Sequence, residues 1–194
     1  GQQIGAYLLV TLDAASQDDL DTMLEQMAEL VLDAGAMDVL VADTPAKIKD
    51  AWAARSSFLE AIMHETKLLD ECDVVVPVNK IADYLDFVNK TGEDCGLVIK
   101  SFGHAGDGNL HIYQCSNDLE EEEFKSRVDK FFEIIYKEAT NCGGLVSGEH
   151  GIGSGKIKYL VDSVGETNMA LMEGIKRVFD PKMILNPGKV CYRL

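Results

Sequence analysis

Three of the four histidines, His104, His111 and His150, stand inside or beside two glycine-rich stretches, and Glu149 directly precedes the last of them. If Gly103-His104-Ala105-Gly106-Asp107-Gly108-Asn109 is a turn between two strands, His104 and His111 flank it and face a common point. Glu149, from the later stretch Gly143 to Gly153, can then supply a third donor. Two imidazoles and one carboxylate, with a position left for water or substrate, match the donor composition of catalytic zinc sites. The same set matches the two-His-one-carboxylate pattern of iron sites, so donor types alone do not choose the metal. A metal held there would grip a substrate hydroxyl or carboxylate oxygen as a Lewis acid. His150, not needed as a ligand, would be free to act as general base.

The plainer reading is that a histidine in a glycine loop is an ordinary hydrogen-bonded surface residue. Three of them in two such loops is what argues for a site. Asp107 and Asn109 read as turn formers, because their side chains close onto the local backbone. A phosphate cradle is the obvious alternative for glycine-rich loops, but its signal is weak: Gly151-x-Gly153-x-Gly155-Lys156 fits neither the P-loop nor the dinucleotide fingerprint. His64, among Ala61, Ile62 and Met63, reads as structural, and Arg55 on its own reads as a surface cation. An arginine fork is nonetheless the natural bidentate partner of a substrate carboxylate.

The elements that must position these residues follow from pattern. Strands are expected at 6–12, 37–42, 72–78, 97–102 and 110–114, from β-branched and aromatic runs bounded by turn residues. Helices are expected from Ser16, with Asp19 completing a capping box, to about Ala34, and from Thr44-Pro45 through Lys67. Others are expected from Asn79 to about Gly92, over 119–140 behind Asp118, and through Phe179. Adjacent antiparallel strands mixed with strand-helix units imply an α+β sandwich, helices packed on one sheet.

Of 194 residues, 46% are hydrophobic and 26% charged, ordinary globular usage and enough for a core in a single domain over 1–194. With 18 Lys and Arg against 33 Asp and Glu the net charge is −15, which repels phosphate backbones and excludes nucleic acid as the expected partner. Five cysteines with no C-x-x-C pair fit neither a disulfide framework nor a zinc ribbon, and point to a reducing, cytoplasmic setting. The apolar runs, such as 7–10 and 74–78, fall far short of the roughly 20 residues of a membrane span.

Gly103-His104-Ala105-Gly106-Asp107-Gly108-Asn109-Leu110-His111, then Ser147-Gly148-Glu149-His150-Gly151-Ile152-Gly153, then Leu185-Asn186-Pro187-Gly188-Lys189 together resemble the C-terminal, substrate-side domain of the FAD-linked oxidases. This is the family of glycolate oxidase, D-lactate dehydrogenase and D-2-hydroxyglutarate dehydrogenase. Trp52-Ala53-Ala54-Arg55 and Asp73-Val74-Val75-Val76-Pro77 also fall where that family has similar segments.

The resemblance implies a ferredoxin-like α+β cap packed against a separate FAD-binding domain, in cis or in trans, that is not within these residues. It implies a divalent metal, zinc or else iron or manganese, held by His104, His111 and Glu149, with His150 as the base that takes the hydroxyl proton. It implies further that Arg55 and His104 contact a small 2-hydroxy acid and that Asn186 lies near the flavin. Leu59, Glu71 and Tyr113 depart from the pattern of the hydroxyglutarate enzymes, which leaves a second carboxylate poorly provided for and favours lactate or glycolate. The rival expectations are a non-catalytic metal-binding cap that interacts with a flavoprotein, and a free-standing metal hydrolase using the same ligands. Assembly into a homo-oligomer stays open, as do the metal and the electron acceptor.

Overall fold

The computed structural model describes residues 5–191, which divide between Ser57 and Phe58 into two compact units. The first unit holds α1 (Gln17–Asp33) and α2 (Pro45–Ser56). Ser16 caps α1 as expected: its hydroxyl oxygen accepts the Asp19 N–H at 3.2 Å and its hydroxyl donates to the Asp19 carboxylate at 2.6 Å. Thr44 caps α2 by accepting the Lys47 N–H, with Pro45 at the first helical position.

The strands expected at 6–12 and 37–42 do not form, and Tyr7, Leu8 and Leu40 are exposed. Local β preference is weak, and a strand persists only where a neighbour completes its hydrogen-bond ladder. Among the described residues only three strands pair, all in the second unit. The helix expected to run unbroken to Lys67 is also two helices. Ser57 stops α2, its hydroxyl donating to the Ala54 carbonyl at 2.9 Å in competition with the helical bond, and α3 covers Phe58–Glu65.

The second unit is built on β1 (Leu68–Val75), β2 (Val98–His104) and β3 (Asn109–Ser116), antiparallel in the order β1-β3-β2. β1 begins ahead of the expected Cys72 because Asp70 and Glu71 belong to the ladder despite their charge, opposite Gln114 and Tyr113. A single 3-10 turn, Val78–Lys80, leads into α4 (Ile81–Cys95), which ends on the left-handed Gly96 rather than near Gly92. Gly92 stays helical, and Ile99 of β2 occupies the space a Cβ there would need, so its role is close packing rather than termination.

α5 (Glu121–Asn141) starts behind Glu120 and not Asp118, since the Ser116 hydroxyl oxygen accepts the N–H groups of Asp118 and Leu119 and holds them in the preceding turn. α6 (Ile157–Phe179) breaks at Gly165, whose φ of 76° and ψ of 166° are not helical. The chain order β1, α4, β2, β3, α5 is the expected ferredoxin-like α+β arrangement. Its fourth strand is reduced to one antiparallel bridge, Leu145 to Val75, on the free side of β1.

Because side chains alternate across a sheet, each strand presents two different faces. One face carries Cys72, Val74, Leu110 and Ile112 onto Tyr84 and Val88 of α4 and Val128, Phe131 and Ile135 of α5. Burying each such side chain contributes roughly 1.5–3 kcal/mol. The Tyr84 hydroxyl donates to the Ile135 carbonyl at 2.8 Å and ties the two helices together. The opposite face carries Leu69, Phe102, Tyr113 and Cys115, closed by Ile62 of α3. The same face, further along, bears Glu71, Asp73, His104 and His111.

Candidate active site

His111 sits in the middle strand, paired in register with Asp73 of β1 on one side and Phe102 of β2 on the other. Period-two alternation puts its imidazole on the face away from α4 and α5, and it is only 5% exposed. His104 ends β2 opposite Asn109, across the short turn that the glycines make possible. Gly108 has φ of 72°, and a Cβ on it would collide with the Val76 carbonyl, so this position admits no other residue without strain. The hairpin therefore brings both imidazoles to one point, with ring centroids 5.7 Å apart.

The loop after α5 supplies the rest. Glu149 Oε1 lies 2.8 Å from His111 Nε2 and 3.7 Å from His104 Nε2. These separations bracket the ~3.3 Å that donors adopt around a tetrahedral zinc with bonds of 2.0–2.1 Å. The other nitrogen of His111 faces Glu71, with Nδ1 to Oε1 at 3.5 Å, and His150 Nδ1 lies 3.2 Å from that same oxygen. His111 Nδ1 and Glu71 Oε1 are both enclosed and neither makes a hydrogen bond. The His111 and His150 rings stack obliquely, 4.8 Å apart.

Burial foremost, and then the neighbouring His150, lower the pKa of His111 and favour the neutral imidazole that a metal ligand must be. His104, Glu149 and His150 are half exposed, so the cluster is open on the side away from the sheet. The residues present thus fit a divalent cation on donor type and separation.

Behind the cluster lies Asp73, with no exposed surface. Its Oδ2 accepts three successive backbone N–H groups, from Gly148 at 2.7 Å, Glu149 at 2.8 Å and His150 at 3.0 Å. Its carboxylate also accepts the Ser147 hydroxyl and a short hydrogen bond from the Lys156 ammonium. Burial alone would raise the Asp73 pKa, but Lys156 and the His150 and Glu149 amides hold it far below the usual carboxylate range. A Cβ on Gly148 would meet the buried Asn109 side chain, so glycine lets the loop lie against the hairpin.

The structure thus brings together His104, His111, Glu149 and His150, the four residues singled out around the glycine stretches. Arg55 lies half-buried in the last turn of α2, in the other compact unit. Asn186 lies in the exposed tail after α6 with φ of 45°, and among the described contacts none joins it to the cluster. That tail is nonetheless tied back to the glycine-rich loop, the Val190 N–H donating to the Gly153 carbonyl at 2.7 Å.

Asp73 and Lys156 join the site only through the structure, which also sets Glu71, noted in the sequence as a departure from the hydroxyglutarate pattern, against His111 and His150. The signal for placing Glu71 and Asp73 is present in the sequence: once β1 is extended to Leu68, alternation puts both on the face of His111. Lys156 has no such signal, because its partner lies far away in the chain.

Residues 2–190 match the protein family described as FAD linked oxidases, C-terminal domain. The chain is 60% identical over 194 residues to D-lactate dehydrogenase of Anaerostipes hadrus, a match covering 100% of this chain and 41% of that protein. It is 37% identical over 190 residues to D-lactate dehydrogenase of Archaeoglobus fulgidus, covering 97% of this chain and 40% of the relative. It is 33% identical over 187 residues to glycolate oxidase subunit GlcD of Bacillus subtilis, covering 95% and 39%. The chain spans about two fifths of the length of these relatives. Since the family match contains the His104 to His111 hairpin, the Glu149-His150 loop and the Asn186 tail alike, the chain belongs to the FAD linked oxidases, C-terminal domain, family.

Proposed function

We propose that this chain is the substrate-side part of a flavin-dependent 2-hydroxyacid oxidoreductase of the D-lactate or glycolate type. The observation that carries the reading is the convergence of His104, His111 and Glu149 on one open point with His150 beside them. When bound, a divalent cation at these three residues supplies a Lewis acid for the 2-hydroxyl oxygen, and FAD supplies the acceptor for the hydride leaving C2. His104, His111 and Glu149 hold the cation, and His150 takes the hydroxyl proton. Glu71 faces His150 Nδ1, which leaves Nε2 as the nitrogen that receives it. Arg55 pairs with the substrate carboxylate as a bidentate fork, His104 also borders the substrate, and Asn186 adjoins the flavin.

FAD is held mainly by another domain. The consecutive amides of residues 148–150, an arrangement able to cradle an anion, are taken by Asp73. Exposed Leu171, Ile175, Val178 and Phe179, at helical spacing along α6, support contact with such a domain. The negative charge of Glu71 facing the cluster repels a second carboxylate, which favours a short monocarboxylate over 2-hydroxyglutarate. The five cysteines are unpaired, in keeping with a reducing, cytoplasmic setting. No helix among the described residues is long and apolar enough to cross a membrane.

The test is anaerobic flavin reduction in the enzyme that contains both this chain and its FAD domain, mixed with D-lactate, glycolate or D-2-hydroxyglutarate. The reading expects reduction by a short 2-hydroxy acid, slowed roughly 10²–10⁴-fold in His150→Asn as loss of a general base does. An enzyme that binds metal at His104, His111 and Glu149 yet reduces no flavin with any 2-hydroxy acid would instead support the non-catalytic cap.

A further inference from the structure

We propose that Asp73, with Lys156 behind it, is a positioning residue whose buried carboxylate fixes the backbone of Ser147–His150 so that Glu149 and His150 face His111. The inference rests on the reading of Glu149 as a ligand and His150 as the base. The loop that carries them has glycine at 143, 144, 148, 151, 153 and 155, so its own conformational preferences are weak. A reacting constellation tolerates only about 0.5 Å of misplacement, and so the loop must be held from outside.

The Leu145–Val75 bridge and the Val190 N–H tie its two ends, and what holds its middle is one carboxylate. Three consecutive N–H groups converge on Asp73 Oδ2, the Ser147 hydroxyl donates to both oxygens, and Lys156 closes on Oδ1 from the far end of the loop. Convergent successive amides form an anion nest, here filled by a side chain of the same protein. The placement of that side chain matters more than its charge alone. Asp73 is the register partner of His111 across β1 and β3, so the distance from anchor to buried ligand is set by the rigid ladder rather than by the long connection through α5. Every hydrogen bond of the Asp73 carboxylate is to residues 147–156, and none is to His104 or His111. Its action on the cluster therefore runs through the loop.

A purely structural role, that of a satisfied ion pair, is separated from positioning by choice of variants. Asp73→Asn leaves the Lys156 ammonium buried without its partner and will lose stability for that reason alone. The double variant Asp73→Asn with Lys156→Met removes the stranded charge. Asp73→Glu keeps the ion pair but moves the carboxylate by one methylene. Each is compared with wild type and His104→Ala for residue-resolved amide exchange without metal, for zinc affinity by competition with a chromophoric chelator, and for circular dichroism.

In the double variant and in Asp73→Glu, the 148–150 amides are expected to exchange at least tenfold faster while the helices keep their protection. Zinc affinity is expected to fall about 10–100-fold, the usual cost of losing an outer-layer support. Wild-type amide protection or wild-type zinc affinity in either folded variant overturns the proposal. If wild type binds no zinc, the metal reading fails by itself, and the exchange of the 148–150 amides alone decides for or against Asp73.

Discussion

His111 Nε2 and Glu149 Oε1 lie 2.8 Å apart, joining the middle strand of the sheet to a loop that leaves the far end of α5. A cation bridging them would add a link to those the loop already makes with the sheet through Asp73 and the Leu145–Val75 bridge. If the proposed site takes zinc, a hundredfold excess over the dissociation constant would stabilise the folded chain by about 2.7 kcal/mol. For a domain of this size that corresponds to a rise in Tm of roughly 5–10 °C. A thermal melt with and without zinc should show the rise in wild type and none in His111→Ala or Glu149→Ala. An equal rise in the variants would place the zinc elsewhere.

The hairpin turn has its own weak point. Gly108→Ala forces a left-handed residue to carry a Cβ into the Val76 carbonyl. The strain and the collision together should destabilise the second unit by about 2–4 kcal/mol. Gly106→Ala in the same turn meets nothing within 4 Å and serves as the control, within about 0.5 kcal/mol of wild type in a urea titration.

Acid should loosen the tail at a lower pH than an isolated carboxylate would allow. Asp180 is nearly enclosed; burial pulls its pKa up, but the Leu185 N–H, the Lys176 ammonium and the Ile184 N–H outweigh it and set the pKa below the usual value. A carboxyl depressed on folding contributes stability that is present above its unfolded pKa near 3.8 and is lost as pH falls through its folded pKa. The amide protection of Ile184 and Leu185 should therefore persist at pH 4 and vanish below it. In Asp180→Asn that protection should be weak already at pH 7, and a wild-type pH profile in this variant would exclude Asp180 as its source.

The core under the sheet sets the stability on which the site rests. Phe131→Ala empties a fully buried position between α5 and the strands and should cost about 3–5 kcal/mol. Tyr84→Phe removes only the hydroxyl bond to the Ile135 carbonyl and should cost about 1 kcal/mol, leaving a buried carbonyl without that donor. A denaturant titration that ranked these two in the opposite order would show that α4 and α5 are not packed as described.

Much of the site is legible in the sequence because its signals are local. Histidines flanking a glycine turn between two strands face one way by alternation alone, and the hairpin Val98–His104 to Asn109–Ser116 forms where the pattern places it. The Glu149-His150 pair is legible as a motif, but not the reason for its placement. Asp73 reads as one more residue of an apolar strand until its partners, 148–150 and Lys156, are known. The place of Glu71 against the histidines escapes for a related reason, since its charge shortens the expected strand. The failure at 6–12 and 37–42 has the opposite origin: Tyr7 to Val10 and Val39 to Val41 have strand-like composition, yet no partner strand among the described residues turns that preference into a ladder.

β1 has a full ladder on its β3 side and, on its outer side, only the bridge from Val75 to Leu145 among the described residues. An exposed strand edge is a template for pairing with any other extended chain, and proteins guard such edges with charge. Asp70 and Glu71, which keep exposed surface, lie along this one, so a foreign strand pairing there would have to desolvate carboxylates as it zipped up. Glu71 at the candidate centre, with Asp70 beside it, therefore also serves as a deterrent to aggregation. Neutral substitutions in β1 made to alter substrate choice should be screened for fibrils and precipitates as well as for turnover.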